Sequence, residues 1–110
     1  MYTVWVRLEI HPGKTDEFLA GIRANARASL RDEPGCLRFD VHRSTDEPHT
    51  FHLYEIYADR DAFERDHRNA PHYQRWQKIV AACVVPGTQA NTYAEPVFPS
   101  DVPEHSGADS

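Results

Sequence analysis

Phe51-His52-Leu53-Tyr54-Glu55-Ile56-Tyr57, preceded by Cys36-Leu37-Arg38-Phe39-Asp40-Val41-His42-Arg43 and the turn-rich Ser44-Thr45-Asp46-Glu47-Pro48, decides how this chain folds. Both runs alternate with a period of two, the pattern of half-buried strands. The expected strands are Cys36 to Arg43 and His49 to Tyr57, joined as an antiparallel hairpin with a longer loop. If the hairpin is symmetric, partner indices sum to about 94, so Arg38 faces Ile56, Asp40 faces Tyr54 and His42 faces His52 on one side, and Phe39 faces Glu55 on the other.

That register puts Glu55 on the face that Phe51, Leu53 and Tyr57 make apolar. A carboxylate in an apolar layer costs several kcal/mol unless it is paired, hydrogen-bonded or protonated, so it asks for a partner. His67, His72 and Asn25 are the candidates.

Outward from the hairpin, Tyr2 to Ile10 alternates in the same way, with Val4, Val6, Leu8 and Ile10 on one side and Thr3, Trp5, Arg7 and Glu9 on the other. His11-Pro12-Gly13 ends it. A helix follows from about Thr15, a candidate N-cap, to Arg31, with Phe18, Leu19, Ile22, Ala26 and Leu30 on its apolar arc and Arg23, Arg27 and Arg31 toward solvent. Glu33-Pro34-Gly35 stops it. A short helix is expected from about Asp59 to Arg68 and a second from Pro71, suited to a first helical position, to Cys83. A last strand spans Thr88 to Ala94. The expected domain is therefore residues 1–94, with 95–110 a Pro, Ser and acid-rich C-terminal tail, mobile or packed on a partner subunit.

The order β-α-β-β-α-β implies an α+β, ferredoxin-like four-stranded antiparallel sheet with helices on one face. The other sheet face then carries Trp5, Arg7, Glu9, Arg38, Asp40, His42, His52 and Tyr54, a mixture of aromatics and both charges that suits a self-complementary homodimer interface. A length of 110 residues makes one domain, and 40% hydrophobic content supplies a modest core. A net charge of −5 with no basic run argues against nucleic acid and against an anionic membrane surface. No signal-like or spanning segment is present, which predicts a cytoplasmic protein. Cys36 and Cys83 fit neither a metal motif nor a disulfide framework, and are expected to be reduced and buried. Among seven histidines, His42, His49 and His52 cluster about the hairpin near Asp40 and Asp46, but match no standard metal spacing and are expected at a solvated surface or interface. No metal and no cofactor is expected.

Gly35-Cys36-Leu37-Arg38-Phe39-Asp40-Val41, then Leu53-Tyr54-Glu55-Ile56-Tyr57, then Ala62-Phe63, His67 and Pro71-His72-Tyr73, in this order and spacing, resembles the antibiotic biosynthesis monooxygenase superfamily. Phe18 and Asn25 on the first helix also fit its pattern, and the resemblance covers roughly residues 3–93. It implies a dimeric α+β barrel, two ferredoxin-like sheets packed face to face, with a pocket in each subunit between sheet and helices. It also implies one of several activities, because members include cofactor-independent quinol and anthrone monooxygenases and an isomerase of a phosphorylated autoinducer.

Asn25 edges the apolar arc of the first helix, where an amide can bind a substrate carbonyl or phenol oxygen, and Ser29 continues the line. His67 follows Phe63 by one helical turn, and His72 opens the next helix on a stripe with Trp76, Ile79 and Cys83. Oxidation of a hydroquinone, anthrone or polyketide-like phenol by dioxygen needs only a dry pocket, a base and an oxyanion donor, since the substrate supplies the electrons. For that chemistry His67 is the expected base or proton relay, Asn25 the oxyanion donor and Glu55 the group that orients the histidine. Phe39, His72, Tyr73, Trp76 and Ser29 are expected to bind substrate. The same parts serve the alternative, an isomerase of a phosphorylated dicarbonyl sugar by proton transfer, with Arg23, Arg27, Arg65, Arg68, Arg75 or a helix N-terminus to hold phosphate. A third alternative is a non-catalytic dimeric ligand-binding or stress-response module. Haem degradation fits poorly, because His67 precedes Trp76 and their spacing is wrong for it.

Overall fold

A computed structural model of the chain describes residues 1–102. Its elements are β1 (Tyr2–Glu9), α1 (Thr15–Asp32), β2 (Cys36–Arg43), β3 (Thr50–Tyr57), a π-helical turn (Ala62–His67), α2 (Pro71–Cys83), β4 (Ala90–Ala94) and a 3-10 turn (Pro99–Asp101). The four strands form one antiparallel sheet in the order β2-β3-β1-β4, the ferredoxin-like topology. Val4, Val6, Leu8 and Ile10 of the first alternating run are all buried, against Phe18 and Ile22 of α1 and Trp76 and Cys83 of α2.

The hairpin register holds from Arg38↔Ile56 through Phe39↔Glu55 to Arg43↔Phe51, and slips by one at a bulge between Cys36 and Arg38. Glu55 thus lies between Phe39 on β2 and Val4 on β1, in the middle of the covered face. On the opposite face Trp5 packs against Tyr54 at 5.2 Å between ring centroids, and Arg38 is ion-paired with Asp40 at 2.6 Å. Trp5 remains 44% exposed there, whereas Thr3 and Ile56, paired across β1 and β3, are buried.

Several boundaries differ from the sequence expectation for local reasons. Thr15 is the first helical residue of α1, not its cap; Lys14 occupies the cap position and gives no side-chain hydrogen bond. The short helix after β3 is widened into a π turn between Ala62 and His67, with Asp59 accepting the Ala62 N–H at 2.8 Å. The third strand starts at Thr50, whose N–H closes the turn onto Glu47. β4 begins at Ala90, because Gly87 turns the chain at φ +80° and Thr88 makes its contact with β1 through its side chain. The Thr88 hydroxyl accepts the Glu9 N–H at 3.2 Å and donates to the Val85 carbonyl at 2.7 Å. Cys36 and Cys83 are free and buried. Among the described residues no helix is long and apolar enough to cross a membrane. Of the expected tail, the described part carries exposed Val97 and Phe98, and residues 103–110 lie outside the described residues.

Candidate active site

Between the covered face of the sheet, α1 and the start of α2 lies a cavity of about 40 Å³. Asn25, Phe39, Glu55, His67, Tyr73 and Trp76 line it, which is six of the eight residues the sequence singled out. Phe63 completes the aromatic wall, and Arg68, Gln89 and Asn91, all exposed, form its rim. The other two expected residues, Ser29 and His72, sit behind it: Ser29 Oγ is 3.3 Å from His72 Nε2.

Glu55 is 3% exposed and takes a hydrogen bond from the Tyr57 hydroxyl, two residues on along the same strand face, at 2.5 Å. Burial pushes its carboxyl up to about 7, while the Tyr57 hydroxyl and the charge of His67 pull the other way without cancelling it. Burial likewise holds the Tyr57 phenol well above its usual value, with the Glu55 charge adding to it. Asn25 is 4% exposed, and neither its amide nitrogen nor its oxygen has a hydrogen-bond partner. A buried amide with both atoms unpaired is rare, and unpaired atoms beside a cavity are what a ligand satisfies.

The hydrogen bond expected between Glu55 and a histidine runs from a different carboxylate. His67 Nδ1 lies 2.9 and 3.0 Å from the two carboxylate oxygens of Glu33, and His72 Nε2 is hydrogen-bonded to Glu33 Oε2. All three residues are buried. Desolvation raises the Glu33 carboxyl, but hydrogen bonds and charge from His67 and His72 together outweigh it, so the net shift is downward. The same crowding of carboxylates contributes to Cys36, whose thiol is pushed up to about 12, first by burial and then by the charges of Glu33 and Glu55. His67 is further fixed by rings: it stacks on Phe63 at 5.8 Å between centroids and meets Tyr73 edge-on at 5.3 Å.

The backbone explains how Glu33 arrives there. It is the residue after α1, and Pro34 biases it to the extended conformation it adopts, φ −105° and ψ 107°, while its N–H still bonds the Ser29 carbonyl. Sequence reasoning treated Glu33 only as part of the helix stop. The signal that identifies it is the stripe Phe18, Ile22, Asn25, Ser29, Glu33, whose spacing keeps one helix face inward and whose last three members are polar.

Glu33, His67 and His72 each bring one donor atom to within 4.8 Å of the others, a set of two imidazoles and a carboxylate that can hold a divalent ion. Here those donors are hydrogen-bonded among themselves. The hairpin histidines His42, His49 and His52 are exposed. Chemically the cavity therefore offers a carboxyl that titrates near neutrality, an unpartnered amide and an imidazole whose far nitrogen is held by a second carboxylate.

Comparison with known proteins places the chain in a family. An isomerase of (4S)-4-hydroxy-5-phosphonooxypentane-2,3-dione from Escherichia coli is 38% identical over 74 residues, covering 67% of this chain and 75% of that protein. The same isomerase from Salmonella paratyphi B is 36% identical over the same shares. A solved structure from Nitrosomonas europaea, provisionally assigned as an antibiotic biosynthesis monooxygenase, superposes with a TM-score of 0.80 at 32% identity, over 89% of this chain and 100% of its own. One from Caulobacter crescentus with the same provisional assignment gives 0.80 at 25% identity, over 87% and 89%. The model of the family described as antibiotic biosynthesis monooxygenase matches residues 1–79, and with that match and those identities the chain belongs to this family.

Proposed function

We propose that the chain is a proton-transfer isomerase of a small phosphorylated dicarbonyl, with Glu55 as the base. The observation that carries this is Glu55 itself, a buried carboxyl held at about 7 beside the unpartnered amide of Asn25 in one cavity. A base is most effective when its pKa lies near the working pH. The curated relatives isomerise a 4-hydroxy-2,3-dione carrying a terminal phosphate, and they favour this alternative over the oxygenation that the sequence put first.

For such a substrate the steps follow from its functional groups. Glu55 takes the hydrogen on the carbinol carbon as a proton, the electron pair of that C–H bond becomes the carbon–carbon double bond, and the adjacent carbonyl becomes an enediolate oxygen. Asn25 Nδ2 donates to that oxygen. His67, held by Glu33, moves a proton between the two enediol oxygens, and Glu55 returns its proton to the former carbonyl carbon. The net change exchanges the carbonyl and hydroxyl positions. Arg68 at the rim is the phosphate anchor, since it is the arginine among the cavity lining. A cavity of about 40 Å³ holds only a few waters, so the substrate enters by displacing Arg68, Gln89 and Asn91. Two copies pair through the sheet face that carries Trp5 and Tyr54, and residues 96–102 pack on the partner.

The test is anaerobic incubation with (4S)-4-hydroxy-5-phosphonooxypentane-2,3-dione, followed by NMR. Product without oxygen is expected, and its loss in His67→Ala with retained binding assigns that residue to turnover. Binding with no conversion by the wild type leaves a ligand-binding module in its place. The aromatic walls Phe39, Phe63, Tyr73 and Trp76 favour one second activity, oxidation of a hydroquinone by dioxygen. Oxygen uptake with a hydroquinone, and none of the anaerobic isomerisation, selects it.

A further inference from the structure

Three buried side chains from three separate segments meet at one point behind the cavity. Glu33 follows α1, His67 ends the π turn and His72 is the second residue of α2. On one straight helix the spacing from His67 to His72 would turn the two rings about 140° away from each other. The break between the π turn and α2, where Ala70 is extended at φ −67° and ψ 144°, brings both rings to the same carboxylate instead. Glu33, His67 and His72 are 7%, 3% and 4% exposed, and their donor atoms all lie within 4.8 Å of one another. We propose that they form a binding site for a zinc-class divalent ion, with His67 Nδ1, His72 Nε2 and a Glu33 carboxylate oxygen as ligands.

The donor chemistry selects the ion. Two imidazole nitrogens and one carboxylate suit zinc and its first-row divalent neighbours, whereas magnesium and calcium favour oxygen throughout. Zinc holds such ligands at about 2.0–2.1 Å, which sets neighbouring donors of a tetrahedron about 3.4 Å apart. His67 Nδ1 is already 2.9 and 3.0 Å from the two Glu33 oxygens, so the carboxylate and the rings need only open slightly to admit the ion. The ion takes the place of the ring protons that bridge to Glu33, and each ring keeps a proton on its other nitrogen. Three protein ligands leave a fourth position for water or a small anion. An entry route exists as well: His72 lines a groove of about 200 Å³ between α1 and α2, which reaches solvent at the exposed residues Ala24 and Arg75. No standard motif spacing joins Glu33 to His67 and His72, so the set becomes visible only once the chain is folded. The site does not rest on the isomerase function. The ion lies at the nitrogen of His67 that Glu33 holds, and Nε2 stays free.

The competing explanation is a metal-free staple, in which Glu33 ties the end of α1 to α2 by hydrogen bonds alone. Full-length protein stripped with a chelator and titrated with zinc chloride separates the two. Binding of one zinc per chain with a Kd of about 1 µM or tighter is expected, together with a rise in melting temperature that magnesium chloride does not give. In uniformly 15N-labelled protein, the His67 Nδ1 and His72 Nε2 resonances are expected to move to metal-bound shifts while those of the exposed His42, His49 and His52 stay in place. That measurement needs no variant. His72→Gln is expected to weaken binding by about 100-fold or more, beyond what loss of a partner outside the ligand set costs. The double variant His42→Gln/His52→Gln is expected to bind as wild type does. With cobalt chloride, wild type and the double variant should show the visible absorption of four-coordinate cobalt, and His72→Gln should not. Absence of saturable zinc binding, or ring shifts confined to the hairpin histidines, overturns the site. So does a His72→Gln protein that melts like wild type and binds zinc equally well. None of these readouts uses conversion of the dione, so failure of the metal site and failure of the isomerase function are told apart.

Discussion

Glu33 and Glu55 are buried almost equally, at 7% and 3% exposure, yet their carboxyls move in opposite directions. Burial raises both. The end of α1 surrounds Glu33 with two imidazoles, which reverse the effect; the middle of β3 gives Glu55 a single phenol, which does not. The site thus holds one carboxyl suited to staying ionised and one suited to changing its state near neutral pH, and the neighbours rather than the depth decide which is which.

The comparison breaks most visibly at Glu33. Glu33→Ala removes the acceptor that both rings share and is expected to cost about 4 kcal/mol, read as a shift in the urea midpoint at pH 7. The sign with pH is fixed by the lowered carboxyl. Such a group contributes stability above its unfolded pKa that is lost as pH falls through the folded value, so the gap between variant and wild type should narrow on acidification. Glu55→Gln should change stability with the opposite sign, a gain at high pH that also fades on acidification. A folded value of about 7 against an ordinary 4.5 makes the ionised form costly, about 3 kcal/mol at 1.36 per unit. That penalty is absent below pH 4.5, grows between the two values and is complete above 7. The glutamine variant should therefore be more stable than wild type at pH 8, equal to it near the acid end, and poorer in turnover by about 10²- to 10⁴-fold. A variant less stable at pH 8 means Glu55 is ionised and well solvated in the native state.

Much of this architecture is legible in the sequence, and the exceptions have physical causes. Strand alternation fixes which residues face the core, so the register Phe39↔Glu55 follows from two short runs. The helix period likewise places Asn25 inward. Glu33 continues the stripe of Asn25 and Ser29, but the period alone does not place it, because a residue one step past a helix also takes its direction from Pro34 and the turn. The π turn was hidden for a similar reason: its extra residue is set by what it packs against. Gly35 is the visible trace of that packing, since a Cβ there would lie 2.5 Å from the Ala62 Cβ. Gly35→Ala should therefore push the π turn off the start of β2, cost about 2 kcal/mol by overpacking, and weaken the Glu33–His67 contact. A melting curve together with the His67 ring chemical shifts checks both effects; a variant as stable as wild type with unmoved shifts shows that the close approach is not needed.

Asn25 sharpens the comparison at its smallest scale, because it is buried like the two carboxyls yet has no neighbour to satisfy it. An amide kept unpaired in a core has a cost with no structural return, and replacing it by an apolar group of similar shape is near neutral or favourable. Asn25→Leu should accordingly stabilise the unliganded chain by about 1 kcal/mol, which raises the melting temperature by about 4–8 °C for a domain near this size. The same substitution removes the donor for an enediolate and should lower turnover by about 10²- to 10³-fold, with less effect on KM. A gain in stability bought with a loss of turnover is what separates a group held for substrate from a group held for packing. If Asn25→Leu lowers both, the amide is bonded within the folded chain, and the oxyanion site must be sought at Gln89 or Asn91 on the rim.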